Sequence, residues 1–193
     1  MKKIIALLLV AVMALGMAAC GAAEEAGTTA AATTEAKVEA PASAVEVLEN
    51  VWALYNEETE KFFAMGGDFN APVDGAPGNV DVTNTEFLQY NLLVPEAQWA
   101  SVTEAASLIH GMNANTFTCG AYKVADVAAF AEAMKEAILN NQWMCGFPER
   151  LLVVNVGGVV VVAFGVNDAM TPFQTHLAEA YAGAETLIDE PIA

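Results

Sequence analysis

Val45, Leu48, Trp52, Tyr55, Thr59 and Phe62 recur at steps of three and four, and Val51 and Phe63 widen the stripe. That period puts them on one face of a helix, predicted over residues 44–65 and closed by Gly66-Gly67. Ser43 with Glu46 three positions on supplies a capping box, in which the hydroxyl accepts an orphan amide and the carboxylate reaches back. Residues 66–85 are rich in Gly, Pro, Asn and Asp and read as a long loop. A short helix is expected near 85–92, and Pro95 opens another leading to Trp99.

The period changes after Ser101. Val102 to Ile109 and Asn115 to Val124 predict two strands around Gly111-Met112-Asn113. In the second, Phe117, Cys119 and Ala121 share one face while Thr116, Thr118 and Tyr122 share the other. Asp126 caps a helix over about 127–140, with Val127, Phe130, Ala131, Met134, Ala137 and Ile138 in its stripe and Asn140-Asn141 as its stop. The run LLVVNVGGVVVVAFG is too short and too interrupted for a membrane span, and predicts a hairpin turning at Gly157-Gly158. Val159 to Phe164 is apolar throughout, so both its faces must be covered. The two later helices are expected on one face, and the first helix or a partner subunit on the other. Asp168 or Thr171 caps a last helix to about Tyr181, with Pro172 in its first turn, and a short acidic tail follows. The order ββαββα predicts an α+β domain: a mainly antiparallel four-stranded sheet with packed helices, preceded by an amphipathic N-terminal helix.

The first forty residues follow another logic. Lys2 and Lys3 precede an apolar run from Ile4 to Met17, then Ala18-Ala19-Cys20. A positive start, an apolar centre and small residues before a cut site predict a secretory signal peptide over residues 1–19. Gly21 to Pro41 holds no aromatic residue and one sizeable aliphatic, Val38, too little to offset ordering entropy. Residues 20–42 are therefore expected to be a tether, and residues 43–193 a single globular domain.

Met17-Ala18-Ala19-Cys20 resembles the lipobox of bacterial lipoproteins, with Met17 where leucine is usual. The resemblance implies cleavage before Cys20 and a diacylglycerol thioether on its sulfur. The membrane then becomes a partner through that lipid, with the domain on the extracytoplasmic side of the cell membrane.

Composition narrows the partners. The formal net charge is −17, and outside the leader the bases are Lys37, Lys61, Lys123, Lys135 and Arg150. Such an acidic surface disfavours nucleic acid and anionic lipid. With Cys20 lipidated, Cys119 and Cys145 remain as an even pair, open to two readings: a disulfide, or two buried thiols acting as small apolar groups.

The run HGMNANTFTCGAYKVADVAAFAEAMKEAI, a tryptophan segment and the late apolar hairpin are similar to a family of small uncharacterised lipoproteins of anaerobic Gram-positive bacteria. The likeness spans roughly residues 100–182. It implies a leader, a tether and one domain, and it brings no catalytic residues; Lys123-Val124-Ala125 is shorter than the polar turn expected there.

Candidate chemistry is sparse. Asp68, Asn70, Asp74, Asn79, Asp81 and Asn84 offer oxygen ligands, but counting from Asp68 puts Pro72 at position 5 and Asn79 at position 12, which fails the calcium-loop pattern. These residues also serve turns, and no metal is expected. His110 and His176, the two histidines, belong to no motif; Glu104 and Glu179 are their nearest candidate partners. No nucleophile elbow, phosphate loop or CxxC occurs, and no cofactor is expected. Trp52 reads as core, whereas Trp99 and Trp143 lie near element ends, where an aromatic wall for a ligand is one expectation. The leading expectation is a lipid-anchored, non-enzymatic module binding an unknown protein or small-molecule ligand. The alternatives are a cell-surface hydrolase working through His110 or His176, and a structural envelope component acting as a homodimer.

Overall fold

The computed structural model describes residues 40–192. The expected leader over 1–19, Cys20 and nearly all of the tether over 20–42 lie outside the described residues.

The elements in order are α1 (Ala44–Trp52), β1 (Ala64–Gly66), β2 (Val73–Asp74), β3 (Gly78–Val80), α2 (Thr85–Tyr90), a 3₁₀ helix (Glu96–Ser101), β4 (Val102–His110), β5 (Phe117–Val124), α3 (Val127–Leu139), β6 (Arg150–Val156), β7 (Val159–Gly165), α4 (Asn167–Ala180) and β8 (Glu185–Pro191). The α+β class holds and every strand pairing is antiparallel. The expected β4-β5-α3-β6-β7-α4 series is present in order. The sheet, however, has eight strands rather than four, in the order β2-β1-β4-β5-β7-β6-β8, with β3 also on β4. Two short strands share the outer edge of β4, β1 opposite Leu108–His110 and β3 opposite Ala105–Ser107. They escape a periodicity search because each is three residues long and lies in or beside the Gly/Pro-rich stretch. The segment read as an acidic tail is the edge strand β8. Arg150 holds it with a two-pronged grip on Asp189 (Nε–Oδ1 2.7 Å, Nη2–Oδ2 2.6 Å). That hydrogen-bonded pairing keeps the Asp189 carboxyl below the usual carboxylate range.

Two cores lie on opposite faces of the sheet. One holds Val47, Leu48 and Val51 of α1 and Met170, Phe173 and Leu177 of α4 against Phe117, Cys119 and Ala121 of β5. The other holds Phe130, Met134 and Ile138 of α3 against Tyr122, Val153 and Val162. The two later helices thus take opposite faces, correcting the expectation that they share one. The all-apolar β7 is buried at every position, with α1 and α4 over one side and α3 over the other. Of the two covers expected for the second face, the first helix and a partner subunit, α1 takes the place, together with α4. Each fully buried Val or Leu in these layers contributes about 1.5–3 kcal/mol relative to exposure.

Local chemistry explains most boundaries. Ser43 and Glu46 form the reciprocal capping box, and the Asp126 side chain accepts from Ala129 N at 3.0 Å. Gly157 (φ +57°) and Gly158 (φ +101°) occupy the left-handed region that a two-residue hairpin turn between β6 and β7 requires. Two helix predictions need correction. The first helix stops at Trp52 instead of running to 65. The last begins at Asn167, with Pro172 in its second turn and no side-chain cap from Asp168 or Thr171. The Glu149 carboxylate accepts from Asn167 N at 2.8 Å instead.

Candidate functional site

The break after α1 builds the site. Asn56 Oδ1 accepts from Glu58 N (2.9 Å) and Thr59 N (3.2 Å), and Asn56 O accepts from Glu60 N and Lys61 N, both at 3.0 Å. An asparagine that satisfies its neighbours' amides in this way offers the backbone an alternative to the helix. The resulting turn carries Glu60 and Phe62 over the end of the sheet where β4 delivers His110, beside α4, whose first turn carries Asp168 and whose third carries His176. Between them lies a cleft of about 700 Å³, also walled by Tyr55.

Both histidines of the chain, 66 positions apart in sequence, line this one cleft. Phe62 stacks on the His110 ring (centroids 5.2 Å apart, planes at 19°), and Tyr55 packs against His176 at 4.8 Å. His110 Nδ1 accepts from Met112 N and Asn113 N, each at 3.3 Å, so in the neutral ring the proton sits on Nε2. His176 Nε2 lies 3.0 Å from Glu60 Oε2 and donates to it, leaving Nδ1 as the acceptor nitrogen. That Nδ1 is buried without a hydrogen-bond partner, and so is the Tyr55 hydroxyl. Glu179 Oε2 stands 3.8 Å from Nδ1, beyond hydrogen-bond distance.

The charges follow from the contacts. The amide of Asn56, at 2.8 Å, and then the His176 ring hold the Glu60 carboxyl below the usual carboxylate range. Burial first, and then negative charge at Cys119 and Glu60, pushes the Tyr55 hydroxyl well up, so it stays protonated. Pro172 has no amide hydrogen to give the Asp168 carbonyl, which therefore lacks its ordinary helical donor. No Lys or Arg lines the cleft.

Other expected sites fall elsewhere. Trp99 donates to Val94 O at 3.0 Å, and Trp143 packs on Phe164 at 5.3 Å. Both belong to the core on the α3 side, and neither lines the cleft, so the aromatic wall expected of them is not at this site. Cys119 and Cys145 are free thiols, the first buried and the second exposed, which corrects the disulfide reading and half of the buried-thiol one. Cys145 sits at φ +62° in a loop stitched to the β4–β5 turn by Asn113 Nδ2 to its carbonyl (2.8 Å) and Asn115 Nδ2 to Met144 O (2.8 Å). Asp68, the first residue of the stretch that fails the calcium-loop pattern, is buried and accepts from backbone amides. Among the described residues, no three His, Cys, Asp or Glu side chains are grouped to hold a metal ion. Glu104, named as a partner for His110, lies at the far end of β4 and pairs with Lys123 at 3.0 Å.

Sequence reasoning named both histidines but missed Glu60, Tyr55, Phe62 and Asp168 as their companions. The one usable signal was Asn56, whose turn chemistry was outweighed by an unbroken apolar stripe. The chain matches no protein-family model, no curated protein and no solved structure.

Proposed function

We propose that the chain is an exported lipoprotein, anchored through Cys20 on the outer face of the cytoplasmic membrane, whose domain binds a ligand in the His110–His176 cleft. One observation carries the reading: the two histidines, two carboxylates and two aromatic rings converge on a single concavity of ligand size. The resemblance of residues 17–20 to a lipobox supports the location. The wider likeness to small bacterial lipoproteins supports an anchored domain without a catalytic motif.

Binding is favoured over catalysis because the cleft gathers acceptors and aromatic faces without a serine or cysteine nucleophile among its lining. The test is a fragment screen by NMR on the full chain with labelled histidines. The expected result is one chemical class that shifts His110 and His176 together; a screen that moves neither removes the cleft from the account. Fractionation of a Cys20→Ala variant tests the anchor: the variant is expected to leave the membrane, and equal retention contradicts anchoring.

The His176–Glu60 pair favours a second reading, a surface hydrolase in which Glu60 orients His176 as a general base. Hydrolysis of chromogenic esters that disappears on double substitution of His110 and His176 would establish it. Activity surviving that substitution would remove it.

A further inference from the structure

The chemistry of the cleft selects a ligand class, an inference that rests on the cleft being a binding site. Its fixed charges are one-sided. Glu60 and Asp168 are carboxylates, and no Lys or Arg lies among the lining residues to neutralise them. His176 Nδ1 holds a lone pair with no donor, because the ring's proton is committed to Glu60 through Nε2. The Tyr55 hydroxyl, on a residue 4 % exposed, likewise has no partner. Buried polar atoms without partners cost about 1–3 kcal/mol each. Of the two, the protonated Tyr55 hydroxyl can donate or accept, whereas the His176 Nδ1 lone pair can only accept and points to a donor-bearing occupant.

The rest of the wall is apolar and aromatic. Phe62 stacked on His110 and the face of Tyr55 give a surface suited to a flat or hydrocarbon body, and aromatic faces attract a cation held over them. At long range, a chain of net charge −17 draws cations towards itself and repels anions.

We propose that the cleft receives a primary ammonium group carried on an aromatic or hydrocarbon body, with Asp168 and Glu60 opposite the charge and Phe62 and Tyr55 against the body. An ammonium offers three N–H donors and no acceptor, the complement of two carboxylates and an unmet imidazole lone pair. Carboxylate ligands are disfavoured because they meet two like charges with no Lys or Arg in the lining to pair them.

Three probes of nearly one shape test this on the full chain: phenethylamine, phenethyl alcohol and phenylacetate, each titrated by calorimetry and by NMR of labelled His and Tyr. Phenethylamine, a cation at neutral pH, is expected to shift His176 and Tyr55 signals and to bind at least about tenfold tighter than the alcohol, a tenfold step being about 1.4 kcal/mol. Phenylacetate is expected to leave those signals in place. Asp168→Asn is expected to weaken the amine about fivefold, the upper range for an exposed ion pair, while Glu132→Gln, on α3 across the sheet, leaves affinity unchanged. The alcohol binding at the same residues as tightly as the amine would overturn the charge preference and leave the cleft standing as a ligand site. Phenylacetate binding there more tightly would do the same. Silence of the cleft signals to all three probes would overturn the ammonium assignment and the binding site together.

Discussion

Asp68 gives the sharpest energetic test of how the fold is held. Its side chain is 3 % exposed. One oxygen accepts from Asn70 N at 2.8 Å and Ala71 N at 3.2 Å, and the other from Asp81 N at 2.7 Å. The carboxylate thus ties the turn after β1 to the segment after β3, across the region without a long element of its own. Asp68→Ala removes the acceptor for all three amides. Ala71 N retains a bond to Asp68 O at 3.2 Å, so two donors lose their only protein partner. Each hydrogen bond to a charged acceptor is worth about 1.5–3 kcal/mol, and partial hydration of the flanking exposed residues lowers the loss. The expected cost is about 2–4 kcal/mol in urea unfolding of the full chain, with an unchanged m-value. Hydrogen exchange at Asn70 and Asp81 is expected to speed up more than in β5. Asp68→Asn keeps one acceptor oxygen and is expected to lose about half as much. A measured change below about 0.5 kcal/mol for Asp68→Ala, within the range of an ordinary surface substitution, would refute the tie.

Three further outcomes follow from particular residues. Burial pushes the pKa of Tyr55, Tyr122 and Cys119 above the ordinary values, so each holds its proton longer in the folded chain. The unfolded chain releases these protons first, so stability is unaffected at neutral pH and falls above about pH 9–10, by up to about 1.4 kcal/mol per pH unit for each group. An alkaline melt with tyrosinate absorbance appearing together with unfolding is expected, and gradual ionisation of all four tyrosines before unfolding would contradict it. Asn56→Ala removes the side-chain acceptor for Glu58 N and Thr59 N. It is expected to cost about 1 kcal/mol and to shift the His176 resonances, and an unmoved His176 would separate that turn from the site. Cys145 is expected to react with a thiol reagent at once and Cys119 only after unfolding; two unreactive residues after denaturation would mean a bridge.

The long elements were legible because each is set by a pattern that tertiary contacts reinforce. The α3 stripe, its Asp126 cap and the Gly157-Gly158 hairpin all appear where spacing puts them. The errors share a cause. Tyr55, Thr59 and Phe62 continue the apolar period of α1, yet they reach the same side from a turn, because Asn56 caps its own neighbours. In α4, Pro172 suggested a helix start, but Glu149 on another segment caps the helix five residues earlier. The strand β8 carries four acidic or polar positions and is an edge held by Arg150, so no alternation reveals it. Of the site, the two histidines were visible as rare residues. Their meeting was not, since it depends on β4 finishing at the end of the sheet where β7 hands the chain to α4, a fact of topology rather than of spacing.

The proposed place of the protein rests on an exported domain carried by a lipid at Cys20. Intact-mass spectrometry of the protein extracted from its native membranes tests this directly. The account predicts a chain beginning at Cys20 and heavier than its sequence by a diacylglycerol group, with or without a further acyl chain on the new amino terminus. A mass that retains residues 1–19, or an unmodified Cys20 thiol, would contradict it.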